Sequence, residues 1–355
     1  MSPQHDGDND GDNDDLDSAV GDVEDSDLLS STASVSSSII QYRTLRGRTY
    51  HSERYNTDYY APNDARQNES VDISHHYLTL LLDGKLFLAP LDRDKVKRAL
   101  DVGTGTGIWA IDFADEFPDT QVTGTDLSPT QPTWIPPNVR FEIDDATMDW
   151  TWPDNTFDFV HMRYLFGAIA DWSSLFREAF RVTTPGGWIE TVEVECVITS
   201  DDGTVTPDSA LATWNKMFIE AGSKIGRPFN VLSLDVQRKG LDEAGFVDIQ
   251  QSNYKATTPL SPSFSFFSIW LIMTKCVQIP MAGWPKDAKL AEVGRFVQLT
   301  MENDMEGYSS FLWNDVLGWP ADEYQLFLMR TRKELRDKSI HAYITARFVY
   351  ARKPE

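Results

Sequence analysis

The chain has 355 residues, of which 41% are hydrophobic, enough for one large α/β domain with an insertion or for two small domains. Its formal net charge of −23 argues against direct electrostatic binding of nucleic acid or anionic lipid. Two cysteines, Cys196 and Cys276, are too few for a disulfide framework or a cysteine-based zinc site, which favours a reducing intracellular setting.

The N-terminal segment is acidic and rich in serine. Residues 1–28 contain 11 Asp and Glu and no Lys or Arg, and residues 30–38 are mostly serine. We predict that residues 1–38 form a disordered tail, because this composition cannot bury enough apolar surface to fold. A partner-binding or phosphorylated tail is the alternative. The chain start lacks the basic flank and apolar core of a signal peptide, so we expect a cytoplasmic or nuclear protein that is not secreted.

Residues 39–97 are predicted to form a helical lead-in. Within this segment, residues 65–83 carry apolar side chains at helical spacing. His75 and His76 lie in this helix, but adjacent helical residues point in different directions, which makes them a poor metal pair. We expect no metal site, and we expect one of these histidines to line the mouth of a cofactor or substrate site.

Residues 98–255 alternate short apolar strands with amphipathic helices, which is typical of a doubly wound α/β sheet. Strands are predicted over 99–102, 121–124, 139–143, 157–162, 188–197 and 246–250, and helices over 108–117, 172–182, 208–225 and 233–244. A last strand is predicted over 340–350, within a closing segment 337–355. We therefore predict a Rossmann-like, seven-stranded sheet with a helical insertion over 256–336, between strands six and seven.

Three glycines follow the first strand at alternate positions: Gly103, Gly105 and Gly107. Glycine lets the backbone turn sharply and approach a ligand where a Cβ atom would clash. The helix that follows directs its free N–H groups towards the same place. Asp126 ends the second strand, where an acid accepts hydrogen bonds from the hydroxyls of an adenosine ribose. The pattern therefore indicates a nucleoside-containing cofactor; the alternative is a glycine-rich turn with no ligand.

The residues around this turn do not fit a dinucleotide. The fingerprint G-x-G-x-x-G requires glycine where this chain has Ile108. Asp101 lies two residues before the first glycine, a poor neighbour for a pyrophosphate but a suitable one for the α-ammonium of a methionine moiety. The third strand ends in Asp144-Asp145-Ala146, where an acid can bind an adenine amino group. The D-x-G-x-G-x-G pattern resembles motif I of class I S-adenosylmethionine (SAM) methyltransferases.

Longer phrases are similar to the LaeA-like methyltransferases of filamentous fungi, from about residue 39 to the end of the chain. They include DVGTGTGIWAIDFADEFP, GTDLSPTQPTWIPPNVRFEIDDA and KELRDKSIHAYITARFVYARKP. The resemblance implies a class I methyltransferase fold, SAM as the cofactor, and a role in fungal secondary metabolism or development. The cofactor-binding residues that we predict are Asp101, Gly103, Thr104, Gly105, Gly107, Asp126, Leu127, Asp145 and Ala146.

Methyl transfer from a sulfonium is an in-line displacement that depends mainly on orientation and proximity. Oxygen and nitrogen acceptors also benefit from a general base. His161, at the end of the fourth strand, is our candidate for this base; a histidine satisfied by its neighbours is the alternative. Arg163 is a candidate for binding the cofactor or a carboxylate. Residues 161–164 are His-Met-Arg-Tyr in place of Asn/Asp-Pro-Pro-Tyr, which argues against methylation of exocyclic amines or glutamine amides.

Three acidic residues lie along the fifth strand: Glu190, Glu193 and Glu195. We expect them to share one face, as in a half-exposed strand. The alternative is that one or two of them reach the crevice.

The insertion 256–336 is predicted to be a substrate cap. Trp270, Trp284 and Trp313 lie in it and are candidates for stacking on an aromatic acceptor. Their helical context favours the alternative, in which they belong to the core.

Two functions therefore remain open. The first is a SAM-dependent methyltransferase that acts on an unidentified small-molecule or protein acceptor. The second is a regulatory subunit of a nuclear protein complex that keeps the same fold and acts mainly by binding partners. Neither involves direct nucleic-acid contact or stable membrane insertion, since the most apolar run, residues 264–273, is too short to span a bilayer.

Overall fold

The computed structural model describes residues 42–52, 59–252 and 277–355. The predictions for the tail 1–38 and for Trp270 lie outside these residues. The strands are β1 Tyr42–Leu45, β2 Arg48–Ser52, β3 Arg98–Val102, β4 Gln121–Asp126, β5 Val139–Ile143, β6 Phe157–Arg163, β7 Thr183–Thr199, β8 Val247–Ser252, β9 Val277–Pro280 and β10 Tyr343–Arg352. The helices are α1 Ala65–Leu81, α2 Ile108–Glu116, α3 Trp172–Val182, α4 Ala210–Ile225, α5 Val236–Ala244, α6 Ala288–Ser310 and α7 Ala321–Arg336, with a π-helix over Phe311–Leu317.

The main sheet contains eight of the described strands. Seven lie in the order β5-β4-β3-β6-β7-β10-β8, and the short β9 pairs with β10. Strands β3 to β7 are parallel to one another, whereas β10 is antiparallel to β7, β8 and β9. The predicted Rossmann-like, doubly wound sheet is confirmed. The structure adds one strand to the predicted seven: β9 lies within the predicted insertion 256–336 but belongs to the sheet.

Strands β8 and β9 occupy the same edge of β10, one after the other. Ser252 at the end of β8 pairs with Phe348, and Val277 at the start of β9 pairs with Ala346. The chain therefore leaves the sheet at Ser252 and re-enters it beside the place where it left.

Alternating burial explains how the central strands separate two layers of helices. Ala99 and Leu100 of β3 and Phe159 and Val160 of β6 are fully buried, because successive side chains contact opposite faces of a covered sheet. Ala99 and Phe159 pack with α2, while Leu100 and Val160 pack with α3 and α5. This arrangement leaves the carboxyl ends of β3, β4 and β6 at one edge, the place where open α/β sheets bind ligands.

The helix ends follow their local sequence signals. The carboxylate of Asp171 accepts a hydrogen bond from the backbone N–H of Ser174 at 2.9 Å, and α3 begins at the next residue after Asp171, as predicted. Gly245 ends α5 with a φ of 102°, a conformation that glycine adopts without a Cβ penalty.

The lead-in contains a β-hairpin that the helical prediction for 39–97 missed. Arg46 and Gly47 both have positive φ angles, 50° and 78°, and they join β1 to β2 in a tight turn. Arg48 then forms ion pairs with Asp64, which caps α1, and with Asp304 of α6. The hairpin is therefore held by contacts with distant residues, which a local hydrophobic pattern does not report.

The insertion supplies α6, the π-helix and α7, all of which join the large apolar cluster beside α4 and β7. Asp304 interrupts α6 with non-helical angles, φ −140° and ψ 51°, where its buried carboxylate meets Arg48. The described residues all belong to one compact unit. Across the described ranges, no helix combines the length and the apolar character that crossing a bilayer demands.

Candidate active site

A cavity of about 200 Å³ opens at the carboxyl ends of β3, β4 and β6. Its charged lining is mainly negative, with four carboxylates from Asp101, Asp126, Asp144 and Asp145. Arg163 supplies the one guanidinium, and no lysine is among the described lining residues. This charge distribution suits a ligand that carries positive charge and opposes a pyrophosphate.

The glycine turn forms one wall of this cavity. Gly103, Gly105 and Gly107 have φ angles of 68°, 58° and 79°, all in the left-handed region that disfavours other residues. A Cβ atom on Gly103 would lie 2.6 Å from Leu165 Cδ2, and one on Gly107 would lie 2.4 Å from the Phe141 ring. The turn therefore requires glycine for its backbone angles at all three positions and for space at two of them. Gly103 and Gly105 line the cavity, together with Thr104; Gly107 precedes α2 behind them.

Asp126 fixes the turn from the end of β4. Its carboxylate accepts hydrogen bonds from the backbone N–H groups of Gly105 at 2.8 Å and Ser128 at 3.1 Å. Burial raises the pKa of this carboxyl, and the N–H donors oppose that shift by stabilising the charged form. A carboxylate offers about four acceptor positions, so these two bonds leave capacity for a bound diol.

The loop after β4 holds the turn from the other side. The carbonyl oxygen of Gly105 accepts hydrogen bonds from the Thr130 hydroxyl at 2.9 Å and from the Gln131 amide at 2.6 Å. We did not identify these two residues from the sequence, because nothing in a proline-rich loop indicates that its side chains return to the glycine turn.

Asp101 lies at the end of β3 and is almost completely buried. One carboxylate oxygen is 2.7 Å from His161 Nδ1, and the other accepts the Thr104 hydroxyl at 2.6 Å. The parallel register pairs Asp101 directly with His161, which brings the two side chains together on the same face. Asp101 therefore contributes a positioned negative charge to the cavity wall.

His161 does not line the cavity. Its ring is 1% exposed and stacks on Trp109 at 3.6 Å between centroids. Burial lowers the pKa of this imidazole despite the adjacent Asp101, so the ring is neutral with Nδ1–H donating to the carboxylate. The geometry therefore does not support the predicted role of general base, which requires contact with the acceptor. The physical reason is that His161 lies two residues before the end of β6, where the Trp109 ring of α2 covers it.

Arg163 lies two residues further along the same face of β6, and it does line the cavity. Its guanidinium donates to His75 Nδ1 at 3.2 Å, and His75 Nε2 is 2.8 Å from the carboxylate of Asp112. Burial lowers the pKa of Arg163. His75 therefore orients a cavity residue and is not itself in the lining, whereas His76 is exposed and contacts Phe296.

The remaining predicted cofactor residues meet in the same cavity. Leu127 follows Asp126, and Asp145 and Ala146 follow β5; all three line the cavity. The Asp145 carboxylate accepts both the backbone N–H and the hydroxyl of Thr147, at 2.9 and 2.7 Å. Among the predicted positions, Gly107 and His161 alone are absent from the described lining.

Aromatic residues from distant segments complete the cavity. Tyr59 and Tyr60 come from the lead-in, Tyr164 and Phe166 from the loop after β6, and Tyr308 from α6. The sequence shows the tyrosines of the lead-in, but no motif indicates that they face the glycine turn.

The expectation that three glutamates of β7 share a half-exposed face is wrong. Glu190 and Glu193 are 0% exposed and Glu195 is 8% exposed. Glu190 lies on the opposite face from the other two, since strand faces alternate with a period of two. Each carboxylate accepts hydrogen bonds from backbone N–H groups of a loop: residues 88–89 for Glu190, 165–166 for Glu193 and 232–233 for Glu195.

The two described tryptophans of the insertion are not in the cavity. Trp313 is buried against Phe327 and Tyr324. Trp284 is half-buried and donates its indole N–H to the carbonyl oxygen of Ala342 at 2.9 Å. Both belong to the packing of the insertion, as the alternative interpretation predicted.

Comparison with known proteins agrees with this geometry. A family model described as a methyltransferase domain matches residues 73–251. The chain is 37% identical to Methyltransferase pytC of Aspergillus terreus, covering 92% of this chain and 93% of pytC. This chain belongs to the LaeA-like methyltransferase family. It is 31% identical to the Secondary metabolism regulator LAE1 of Cochliobolus heterostrophus, covering 87% of this chain and 94% of LAE1.

A third relative is named for its acceptor. The chain is 30% identical to the Protein-methionine methyltransferase laeA of Emericella nidulans, covering 88% of this chain and 77% of laeA. The methyltransferase described here is therefore a SAM-dependent enzyme, and its relatives are named both as methyltransferases and as regulators.

Proposed function

We propose that this methyltransferase binds SAM in the cavity at the ends of β3, β4 and β6 and transfers its methyl group to an acceptor of fungal secondary metabolism. The observation that carries the proposal is the convergence of a left-handed glycine turn and four carboxylates on one cavity. When bound, SAM supplies a methyl group on a sulfonium, which leaves readily as a neutral thioether.

The charges of the lining fit the parts of SAM. Asp126 has acceptor capacity for the ribose hydroxyls, and Asp145 has the acceptor chemistry for the adenine amino group. Asp101 and the neighbouring turn offer a negative wall for the α-ammonium and the sulfonium. Arg163 offers a guanidinium for the carboxylate of the methionine moiety.

His161 acts through Asp101 in this proposal. By donating from Nδ1 it holds the Asp101 carboxylate in one orientation. Proximity and alignment then supply most of the rate acceleration, as is usual for displacement at a sulfonium.

A second candidate function is regulation within a protein complex, in the cytoplasm or the nucleus. It is supported by the names of relatives such as LAE1, a regulator of secondary metabolism that is similar along almost its whole length. A variant that no longer binds cofactor separates the two functions. Full regulatory activity of such a variant in a deletion strain favours the second, and loss of activity favours methyl transfer.

The first test is calorimetric titration of the full-length protein with S-adenosylhomocysteine. We expect saturable binding that Asp126→Asn weakens about 10- to 100-fold, because an amide accepts fewer of the hydrogen bonds that the turn and a ribose diol donate. Asp119→Asn is the matched control, since Asp119 is exposed and precedes the opposite end of β4. Wild-type protein that binds no S-adenosylhomocysteine would refute the proposal.

A further inference from the structure

A second, smaller cavity adjoins the cofactor cavity. It has a volume of about 100 Å³ and lies between β7, α1, α4 and α6. We call it the aromatic compartment, because its lining includes Tyr60, Tyr77, Tyr164, Phe166, Trp214 and Phe218. None of the described residues that line it is one that we predicted as a cofactor contact.

The two spaces share part of their lining, which we call the shared wall. Tyr60, Ser74, Tyr164, Phe166 and Tyr308 line both of them. These residues come from four separate segments, so the wall is assembled from individual side chains. A molecule in the aromatic compartment therefore lies directly beside the cofactor cavity.

The lining of the compartment is almost uncharged. Burial raises the pKa of the Cys196 thiol, which is therefore protonated. Glu195 is the one acidic residue of the described lining, and its carboxylate is already bonded to the backbone N–H of Leu232 and to Ser233. A charged ligand would find no counter-ion among these described residues, which favours a neutral, largely apolar molecule.

Two tyrosine hydroxyls meet in the compartment, and one of them belongs to the shared wall. The hydroxyl oxygens of Tyr77 and Tyr164 are 3.0 Å apart, and burial raises the pKa of both phenols, so both keep their protons. Two hydroxyls that share one hydrogen bond retain a second donor and several acceptor positions between them. They offer hydrogen bonds to a polar group at the end of a ligand nearest the cofactor.

We propose that the aromatic compartment is the acceptor site, and that the acceptor is a small neutral molecule with one aromatic ring and a hydroxyl group. This inference rests on the proposed function, because it identifies the substrate class for the same methyl transfer. In that transfer the hydroxyl oxygen of the acceptor forms a bond to the methyl carbon as the carbon–sulfur bond of SAM breaks. S-adenosylhomocysteine leaves as a neutral thioether, and the hydroxyl proton passes to solvent water. The ring occupies the compartment, whose volume of about 100 Å³ is of the same order as the roughly 150 Å³ of an engineered cavity that holds benzene. The hydroxyl lies at the Tyr77–Tyr164 pair, where Tyr164 lines both spaces.

The test uses 4-methylphenol as the probe and full-length protein saturated with S-adenosylhomocysteine. Met301 lines the compartment from α6, and Met301→Trp fills it. Leu299→Trp is the matched control, because Leu299 lies on the same helix but is exposed and outside the lining. We expect saturable binding by the wild type and by Leu299→Trp, and at least a tenfold loss in Met301→Trp, measured by calorimetry.

A second variant fills the compartment from the opposite wall. Cys196→Leu on β7 adds bulk at a different element, so it keeps the test valid if Met301→Trp fails to fold. Affinity for S-adenosylhomocysteine should stay within twofold of wild type in every folded variant. Normal cofactor binding with no binding of 4-methylphenol, or with unchanged binding in both filled variants, would overturn the acceptor assignment alone. Loss of cofactor binding in the wild type would instead overturn the proposed function.

Discussion

The cofactor cavity and the aromatic compartment share a wall but are built from different kinds of contact. The glycine turn and all four carboxylates of the cofactor cavity come from residues 101–147, and this part depends on short hydrogen bonds, such as that of Asp126 with the turn. The aromatic compartment collects residues from position 60 to position 344, and side-chain packing shapes it.

This difference determines how each region responds to change. A hydrogen-bonded turn responds to the loss of one acceptor or to a change in charge, because buried donors are then left unpaired. A packed compartment responds to volume, because a close-packed interior has little room to adjust. The predictions below test this distinction in order of decreasing effect.

The largest effect is expected at Gly167, behind the compartment. Its φ is 70°, and a Cβ atom there would lie 2.2 Å from the ring of Phe229, which is fully buried against Tyr60 and Phe218. Gly167→Ala should lower the free energy of unfolding by about 3–5 kcal/mol, through the left-handed backbone and the overpacked ring. Denaturant titration measures this value.

Gly226→Ala is the matched control for Gly167→Ala. Gly226 follows α4 with almost the same φ, 69°, but a Cβ atom there would meet open space, with no heavy atom beyond its chain neighbours within 4 Å. We expect a loss of about 1–2 kcal/mol, from the backbone alone. Equal losses in the two variants would show that Phe229 moves freely and that the compartment is not rigidly packed.

A smaller effect is expected from pH, through the shared wall. Glu193 accepts hydrogen bonds from the backbone N–H groups of Leu165 and Phe166 at 3.0 and 3.1 Å. Burial raises the pKa of Glu193 from 4.5 to about 8, so the folded protein holds a proton that the unfolded chain has already lost. Stability should therefore fall as the pH rises from about 4.5 through about 8.

Thermal unfolding at pH 6 and pH 9 measures this dependence. For Glu193 alone the expected loss is about 3 kcal/mol, and Glu193→Gln should remove that part of the slope. Glu190, whose pKa burial raises to about 7, adds a further decrease that remains in the variant. Glu292→Gln is the control, since Glu292 is exposed on α6. An unchanged slope in Glu193→Gln would contradict the assignment.

The smallest effect is expected at Trp284, outside both regions. Trp284→Phe removes one hydrogen bond, from the indole N–H to Ala342, and should cost about 1 kcal/mol of stability. Binding of S-adenosylhomocysteine and of 4-methylphenol should not change. A clear loss of either affinity would mean that Trp284, which lines neither space, also supports the ligand sites.

The same contrast explains how much of the site the sequence predicts. The residues of the glycine turn and the acids at the ends of β4 and β5 were identified, because each of them directly follows or ends a strand. The carboxyl ends of these parallel strands form the cavity wall. The prediction of His161 as a general base fails because the sequence places this residue near the end of β6 but does not show which side chains surround it.

Residues of the compartment were not identified for a related reason. Tyr60, Tyr164 and Tyr308 meet only after the lead-in, the loop after β6 and α6 have packed together. The β7 glutamates show the limit of composition-based reasoning as well. Charged residues on a strand usually indicate exposure. Here a loop covers each glutamate, and the carboxylate accepts hydrogen bonds from the backbone N–H groups of that loop.

The interrupted edge beside β10 has a consequence for how this fold can diversify. Because Ser252 and Val277 pair with β10 only two positions apart, the sheet fixes these two residues independently of how many residues separate them along the chain. Residues 253–276, 24 in number, form the segment between them in the sequence. The entropy cost of closing a loop grows only slowly as residues are added. Related chains can therefore lengthen, shorten or exchange this segment without altering the strand order, which makes it a natural place for variation in a shared scaffold.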